Sequence, residues 1–524
     1  MPTTKNQLEN SLAIFIILAV GLKLAIFFYH AWPFTTDDAF ISWRYALHLA
    51  EGDGLRWNLL GDPVEGYSNF SWVILVSLFI KLGWPVIAAV KCFSLFSLVA
   101  ALFFLYQFSR MFLSPLLATL PLYLLSHYKG IVWWTVSGLE TSFFMALVLF
   151  VNWQILRAMG FNKFPTGHQQ YRPGAWISSC IGLTLLALTR FEGAVWAFII
   201  VVFVACALWN ENRTRLSNTT LTSIFLIFVL FFVLPYSLYF SWRFFYFGHL
   251  LPNSYICKAM ASGFQFELII VYLSIAFPCI MIGLPYFFAG KDCRKILFWL
   301  PSLIYALLLY HASPNIAYYN RLFLPAFGVL SVLPVLGIQE FFSYFHLKAT
   351  SSAIASTLFI LLFTQVFIPG SRISVIDTAI KHYQQRSAMR HQIALQLSHK
   401  VAKGGRVVLA DTGIIPFYAR NDIQFIDSLC LNNGEMAAIK LNHSGASYAN
   451  QLKQSIKPEW IIDTYYPKLR HGNTLNDELQ ADGFYNQYKL IKTYQSHRFS
   501  YQHGLLQEQE ADFSYRIYQR TSQP

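Results

Sequence analysis

Long apolar runs separated by short polar stretches recur along the first 369 positions of the chain. The first run, Ser11 to His30, matches the ~20 residues that a helix needs to cross a bilayer. No small-residue cleavage site follows it, which predicts an uncleaved anchor. Further runs, several of them long enough for two spans, lie at about 68–108, 115–156, 175–209, 220–242, 265–289, 296–310, 322–345 and 352–369. The pattern predicts a multi-pass α-helical membrane protein.

Composition agrees with this prediction and excludes nucleic-acid binding. The 524 residues are 55% hydrophobic and 12% charged, against about 25% charged in an average soluble domain. The net charge of +13 forms no basic stripe interleaved with aromatic residues. Instead, basic residues cluster in short connections, which the positive-inside rule assigns to the cytoplasm: Arg157, Lys163 and Arg172; Arg213 and Arg215; Lys291, Arg294 and Lys295.

The alternating connections then face outward, and the first of them, residues 31–67, is the largest. If the loop 31–67 lies outside and the loop 157–173 lies inside, the chain must cross the membrane an odd number of times between them. A plain count of the apolar runs gives four crossings. Either "HYKG" at 127–130 divides a fifth short span, or one run near 68–108 is an interfacial or re-entrant helix. The sequence therefore predicts eleven or thirteen spans, a cytoplasmic N-terminus and a periplasmic C-terminal region in a bacterial inner membrane.

From about residue 370 the composition becomes that of a soluble domain. Residues 371–403 have apolar positions near helical spacing and end at Gly404-Gly405. Short β-like runs follow at 406–410, 423–427, 459–466, 488–494 and 513–519. The division predicted is a transmembrane module at 1–369 and a small periplasmic α/β domain at 370–524. The seven Cys contain no CxxC pair and mostly lie in or beside apolar runs, which supports neither a zinc site nor a disulfide framework.

Charged residues gather at the predicted outer ends of separate spans. Asp37 and Asp38 follow the first run in "TTDDAFISWRYALHLAEGDGLRWN". Other ionisable residues at outer ends are Arg190, Glu192, Arg243, Lys258 and Arg321. A solvated loop, or a cation extending to lipid head groups, explains any one of them alone. Because ionisable groups at membrane depth tend to face a shared polar cavity, the whole set predicts such a cavity.

The residue types in this set suit a lipid-linked phosphate. Arg offers paired donors to a phosphate and Lys offers a point charge. A carboxylate nearby is able to act as general base on an acceptor hydroxyl. A sugar joined to a lipid phosphate is therefore a sensible donor. The excess of aromatic residues is typical of interfacial belts, with Tyr67, Trp72 and Trp134 as candidates for stacking on a sugar ring.

An ordered set of motifs resembles the membrane glycosyltransferases of the GT-C fold. The closest likeness is to the mycobacterial terminal β-arabinofuranosyltransferases and their uncharacterised bacterial relatives, and it covers most of residues 12–369. The motifs are "DDAFISWRYALHLAEGDGLRWN", "EGYSNFSW", "SGLETSFF", "LTRFEG", "YFGHLLPNSYICK" and "YYNRLFLPAF". "RVVLADTGIIPFYARNDIQFIDSLCLNN" (406–433) also resembles the start of the outer C-terminal domain in such proteins.

The resemblance implies a transferase that moves a sugar from a polyprenyl phosphate to a hydroxyl of a glycan or glycolipid, with inversion. The catalytic base is then Asp37 or Asp38, while the other aspartate orients it or binds a cation. The predicted ligands of the donor phosphate are Arg190, Arg243, Lys258 and Arg321. The predicted substrate contacts are Arg44, Glu65, Tyr67 and Glu140. No cofactor is required and no metal ligand is assigned, although a divalent cation stays an open alternative.

Two other functions fit parts of the sequence. A transporter or lipid-binding membrane protein without transferase activity would also carry many spans and buried charges. We find no inverted repeat, and the first outer loop is longer than a permease needs. "LADTGII" (409–415) contains the Asp-Thr-Gly of aspartic proteases, whose chemistry needs two carboxylates that share a proton. The chain has one such triplet, so that reading would require a homodimer.

Overall fold

The computed structural model describes residues 4–161, 171–209, 217–259, 266–290, 292–309, 318–345, 349–368, 370–435, 437, 456–465, 484–503 and 507–521. The chain forms two compact units. Unit 1 comprises Met1–Trp32, Val90–Trp242 and Phe264–Ile376. Unit 2 comprises Pro33–Ala89, Arg243–Gly263 and Asp377–Pro524. The predicted division at 369/370 concerns what lies in the membrane, and it stays a prediction.

The described residues are mostly helical, as predicted. The helices are α1 (Thr4–Ala31), α2 (Asp37–Glu51), α3 (Phe70–Lys81), α4 (Val86–Arg110), α5 (Leu120–His127), α6 (Lys129–Val136), α7 (Thr141–Ala158), α8 (Pro173–Thr189), α9 (Phe191–Trp209), α10 (Asn218–Phe228), α11 (Leu234–Phe247), α12 (Asn253–Ala259), α13 (Phe266–Phe288), α14 (Ile296–Leu309), α15 (Leu324–Leu330), α16 (Leu333–Ser343), α17 (Ala349–Phe367), α18 (Ile373–Lys400) and α19 (Ile414–Tyr418). A π-helical turn, Val229–Val233, joins α10 to α11. Turns of 3₁₀-helix lie at Leu117–Thr119, Cys293–Lys295, Tyr318–Phe323 and Phe484–Gln487.

Within the described residues, seven helical segments are long and apolar enough to cross a membrane, and four further apolar helices are shorter. The multi-pass helical class is thus confirmed, while the number of eleven or thirteen spans stays a prediction. A helix break lies at "HYKG", one of the two alternatives for the extra crossing, and whether it separates two spans stays a prediction. Tyr128, with ψ of 120°, leaves the helical region between α5 and α6.

Close helix packing in unit 1 depends on glycine. A Cβ at Gly337 of α16 would lie 1.9 Å from the carbonyl oxygen of Ile282 in α13, and one at Gly283 would lie 2.4 Å from Leu333 Cγ. Small residues allow two helix backbones to approach this closely, and the close approach increases the van der Waals contact between the helices. The α13–α16 pair is consequently intolerant of added volume at this crossing.

Unit 2 contains a helix inside the predicted first outer loop. Helix α2 carries Asp37 and Asp38 in its first turn, where carboxylates interact favourably with the helix dipole. It ends at Gly52, whose φ of +96° closes the last turn in the left-handed conformation that favours glycine. Helices α3 and α19 pack against α2. The aspartate pair therefore lies at the start of a buried helix and not in an irregular loop.

A five-stranded sheet confirms the predicted C-terminal α/β region. Its strands are β1 (Arg406–Leu409), β2 (Gln424–Asp427), β3 (Trp460–Tyr465), β4 (Tyr488–His503) and β5 (Gln507–Arg520). Their order is β2-β1-β3-β5-β4. Strand β1 runs parallel to β2 and β3, whereas β5 is antiparallel to β3 and β4. The predicted helix 371–403 is α18, and each of the five predicted strands is present.

The structure corrects the expectation for two cysteines. Cys257 of α12 and Cys430, after β2, form a disulfide with Cα atoms 5.8 Å apart. Both residues are buried in unit 2. Because they lie 173 positions apart, their spacing gives no sequence signal of pairing.

Candidate active site

The Asp37 carboxylate is held by contacts within unit 2. Its Oδ1 accepts a hydrogen bond from the Ile414 amide at 2.9 Å, and its Oδ2 accepts one from the Gly413 amide at 3.1 Å. Arg390 Nη1 lies 3.4 Å from Oδ1. A Cβ at Gly413 would lie 1.9 Å from the Asp37 carbonyl oxygen, so only glycine fits there. The turn at Gly413 thus fixes the position of this carboxylate.

Arg390 of α18 joins Asp37 to a second carboxylate, Asp411. Its Nη2 donates to Asp411 Oδ2 at 2.7 Å, and its Nε lies 2.7 Å from the Tyr515 hydroxyl. Tyr515 also donates to Asp411, and Arg386 Nη2 lies 3.3 Å from the same carboxylate. We call Asp37, Arg386, Arg390, Asp411 and Tyr515 the carboxylate–arginine network.

The two carboxylates of this network have opposite pKa shifts. Burial raises the pKa of Asp37, an effect that Arg390 only partly offsets and that the neighbouring Asp411 increases. Burial would also raise the pKa of Asp411, but Arg390 and Arg386 outweigh it and the pKa is lowered. The two arginines therefore favour the anionic form of Asp411. This assignment leaves the Asp-Thr-Gly triplet with a structural explanation.

Asp38 differs from its neighbour. It is half-buried, and no side chain or amide among the described residues forms a hydrogen bond or ion pair with its carboxylate. Successive residues of a helix point about 100° apart, so adjacent aspartates cannot share one set of partners. Of the two predicted base candidates, Asp38 has open acceptor oxygens and Asp37 is engaged.

Glu65 and Arg243 form a buried ion pair in unit 2. Arg243 Nε donates to Glu65 Oε1 at 2.9 Å, and Nη2 lies 2.5 Å from Oε2. Arg243 Nη1 donates to the carbonyl oxygen of Leu250 at 2.9 Å. The backbone N–H of Asn253 donates to the backbone carbonyl oxygen of Glu65 at 3.1 Å. Burial raises the pKa of Glu65, and Arg243 counteracts it. These contacts occupy the Arg243 guanidinium, and its predicted role at a donor phosphate stays a prediction.

Arg44 and Tyr67 are both buried in unit 2. Arg44 Nε donates to the Trp57 carbonyl oxygen at 2.7 Å, Nη1 donates to that of Pro416, and the guanidinium lies over the Phe425 ring at 5.3 Å. Burial lowers the pKa of Arg44 to about 9. The Tyr67 ring packs edge-on against Tyr45, with centroids 4.8 Å apart. Their contacts are those of packed interior residues, and substrate binding by either stays a prediction.

In unit 1, three of the predicted site residues meet. Arg190 Nη1 and Arg321 Nη2 lie 2.6 Å and 2.9 Å from the same oxygen of Glu140, Oε1. Each comes from a different connection: Glu140 precedes α7, Arg190 separates α8 from α9, and Arg321 lies in the 3₁₀ turn before α15. Arg190 also pairs with Glu192 at 2.7 Å. Glu140, Arg190 and Arg321 thus lie together, and the shared cavity predicted for the whole set of outer charges stays a prediction.

A small cavity of about 10 Å³, room for about one water molecule, adjoins these arginines. It is lined by Thr141, Phe144, Arg190, Glu192, Tyr305 and Arg321, with Leu322 and Pro325. Arg321 Nε is buried and donates to no acceptor among the described residues. The Arg321 guanidinium lies over the Trp134 ring at 5.1 Å. A buried N–H without a partner is costly, so an acceptor oxygen beside Arg321 Nε would be stabilising.

Two predicted features receive no structural account. Lys258 belongs to α12, but its side chain lies outside the part of the chain that is described. Among the described residues, no group of three or more His, Cys, Asp or Glu side chains is arranged to hold a metal ion.

The sequence did not single out Arg386, Arg390 and Tyr515. They belong to α18 and β5, and neither element carries a motif that distinguishes them from other polar residues of the C-terminal region. Asp411 was noticed for its Asp-Thr-Gly triplet and assigned no role at the aspartate pair. The sequence contained one weak signal that Asp411 belongs with the aspartate pair, because the resemblance to the GT-C family covers 406–433 as well as the first outer loop.

The fold is that of the GT-C membrane glycosyltransferases. The structure of ArnT from Cupriavidus metallidurans bound to undecaprenyl phosphate is 12% identical, with a TM-score of 0.54, over 95% of this chain and 98% of that one. The apo oligosaccharyltransferase of Archaeoglobus fulgidus is 14% identical, with a TM-score of 0.56, over 87% of this chain and 69% of that one.

A third similar structure is that of AglB from Archaeoglobus fulgidus, in complex with an inhibitory peptide and a dolichol-phosphate. It is 13% identical, with a TM-score of 0.56, over 88% of this chain and 70% of that one. Residues 378–518 match the model of a domain of unknown function, DUF8728. No curated protein sequence matches the chain. The comparisons confirm the GT-C fold.

Proposed function

We propose that the protein is a membrane glycosyltransferase that transfers a sugar from a polyprenyl-phosphate donor to a hydroxyl of a cell-envelope glycan or glycolipid. The observation that carries the proposal is a GT-C fold with two adjacent aspartates on the first turn of α2, one engaged and one open. The structures of similar fold include one with undecaprenyl phosphate and one with a dolichol-phosphate.

Arg190 and Arg321 supply the chemistry for the donor phosphate. Glu140 holds both guanidinium groups beside the unit 1 cavity, and Arg321 Nε has a hydrogen bond to offer. A phosphate is a good leaving group when its charge is stabilised, so cations are needed more than an acid. In this proposal Glu140 positions the arginines and does not contact the sugar.

Asp38 supplies the base. Its open carboxylate removes the proton from the acceptor hydroxyl, whose oxygen attacks the anomeric carbon as the bond to the phosphate oxygen breaks. One such displacement inverts the anomeric configuration. Asp37, held by Arg390 and the turn at Gly413, fixes the start of α2 and hence the direction of Asp38.

The reaction is assigned to the outer side of a bacterial inner membrane. The predicted topology places residues 31–67 and the C-terminal region there. The disulfide between Cys257 and Cys430 supports this side, because such bonds are rare in the cytosol.

The first experiment is mass spectrometry of lipids from a deletion strain. A polyprenyl-linked sugar that accumulates there identifies the donor. That lipid is then incubated with purified protein and an envelope extract of the same strain, and release of polyprenyl phosphate is measured with and without EDTA. The anomeric configuration of the product tests inversion. A transporter would move the lipid and leave its sugar–phosphate bond intact.

Substitutions separate the two roles. Asp38→Asn should slow transfer by about 100-fold or more, the usual contribution of a general base, with donor binding kept. Arg321→Ala should weaken binding of polyprenyl phosphate. If Asp37→Asn alone abolishes transfer in a folded protein while Asp38→Asn stays active, the two aspartates exchange roles. Full activity of both variants would remove the aspartate pair from the mechanism.

A further inference from the structure

A polar cluster in unit 1 takes no part in the transfer proposed above. Lys23 of α1 lies within the apolar segment Gln7–Ala31. Its Nζ is 2.9 Å from His127 Nδ1 at the end of α5, and 5.6 Å from the centroid of the Tyr123 ring. The Tyr123 hydroxyl accepts a hydrogen bond at 2.8 Å from Gln365 Nε2 of α17. Helix α5 packs against both α1 and α17, which brings the four side chains together.

The cluster carries one positive charge. Because an ammonium has donors alone, His127 Nδ1 has to accept, so this imidazole is neutral with its proton on Nε2. A Cβ at Gly370 would lie 2.6 Å from Nε2, which shows that the backbone there closes over the ring. Among the residues that the structure describes, no carboxylate forms an ion pair with Lys23. A lysine at membrane depth is costly and usually has an anionic or polar partner.

The surroundings of the cluster are apolar and exposed. Leu22 and Ile26 flank Lys23 on α1, and Leu362 and Val366 lie beside Gln365 on α17. All four side chains are exposed in the monomer. In a membrane protein, such a surface contacts acyl chains. The cluster is thus a cation with spare donors beside a surface suited to lipid tails.

We propose that Lys23 and its neighbours bind the phosphodiester of an anionic glycerophospholipid, whose acyl chains cover Leu22, Ile26, Leu362 and Val366. Two N–H groups of the ammonium remain after the bond to His127, and they donate to phosphate oxygens. The single positive charge matches the single negative charge of a phosphodiester. A phosphate monoester such as polyprenyl phosphate carries up to two. A binding site for a donor sugar would have to enclose the sugar, whereas Gln365 of this cluster is exposed.

The test is lipid binding, which is independent of transferase activity. Delipidated protein is titrated with phosphatidylglycerol, phosphatidylethanolamine and undecaprenyl phosphate, and bound lipids are counted by native mass spectrometry. Lys23→Gln should bind phosphatidylglycerol about tenfold more weakly, because the positive charge behind both donated hydrogen bonds is lost. Lys23→Arg should retain affinity within about threefold, because the charge is kept.

Lys91→Met is the matched control. This second membrane-depth lysine is buried and donates at 2.5 Å to the Trp32 carbonyl oxygen, so its loss should leave lipid affinity unchanged. If Lys23→Gln does not fold, phosphatidylglycerol with a diazirine near its head group should label the wild-type protein within residues 19–30 or 120–130. Equal affinity of Lys23→Gln and wild type, or labelling confined elsewhere, overturns the proposal. Preferential, Lys23-dependent binding of undecaprenyl phosphate also overturns it.

Discussion

The buried pair of Glu65 and Arg243 gives the sharpest test of how unit 2 is held together. Glu65→Gln keeps the size and one acceptor oxygen of the side chain but removes its charge. Arg243 then stays buried with carbonyl oxygens as its partners. Removing one partner of a buried ion pair typically costs 3–5 kcal/mol, because an uncompensated charge remains. Since the glutamine oxygen and the Leu250 carbonyl oxygen still accept hydrogen bonds, we expect the lower end, about 3 kcal/mol.

A loss of about 3 kcal/mol raises the unfolding equilibrium constant by more than 100-fold. It should appear as a lower urea midpoint of the detergent-solubilised protein, followed by tryptophan fluorescence. A local measurement is also available, because the Asn253 amide donates to the Glu65 carbonyl oxygen. Hydrogen exchange in α12 should accelerate more than exchange in α18.

Two further variants complete this experiment, one as a control and one as a compensating double substitution. Glu51→Gln changes an exposed carboxylate whose contact is a 3.3 Å hydrogen bond from Asn421, and it should alter stability by less than about 0.5 kcal/mol. Glu65→Leu combined with Arg243→Met removes both charges and should recover at least half of the loss. A cost below about 1 kcal/mol for Glu65→Gln would refute the view that the pair stabilises unit 2.

Two other predictions follow from the same kind of reasoning. Because the folded-state pKa of Asp411 is lowered, its stabilising effect is complete above the unfolded-state value near 3.9 and is lost as the pH falls below it. Asp411→Asn should therefore be less stable than wild type at pH 7 and should lose less stability than wild type below about pH 4. Thermal unfolding midpoints measured across pH test this. Midpoints of the two proteins that change in parallel with pH would contradict it. Gly337→Ala should cost about 1–3 kcal/mol through overpacking of α13 against α16, whereas Gly21→Ala, with no atom within 4 Å, should be neutral. Equal unfolding midpoints for the two glycine variants would refute the packing argument.

Local patterns predicted the elements of this fold well. Apolar runs predicted the helices of unit 1, and the short β-like runs after residue 405 predicted the strands. These signals suffice because each element buries a face that its own sequence defines. The helix α2 in the first outer loop was not predicted. All of its residues from Ala39 to Ala46 are buried, including the polar Ser42 and Arg44, so residue type does not mark the buried positions.

The candidate site was predicted in part. Arg190 and Arg321 each lie at the predicted outer end of an apolar run, whereas Glu140 was assigned only through the resemblance to the GT-C family, and the contact of all three is seen only in the structure. Arg390 has no such marker, because an arginine within an amphipathic helix is ordinarily solvated. Its partner Asp37 is 353 positions away, and only the fold determines that pairing.

Pairing between Cys257 and Cys430 has a consequence for biogenesis. The covalent loop cannot close until the ribosome has synthesised residue 430 and both sulfurs have reached an oxidant. A cell without thiol oxidase activity would therefore accumulate chains in which α12 has no covalent link to the segment after β2.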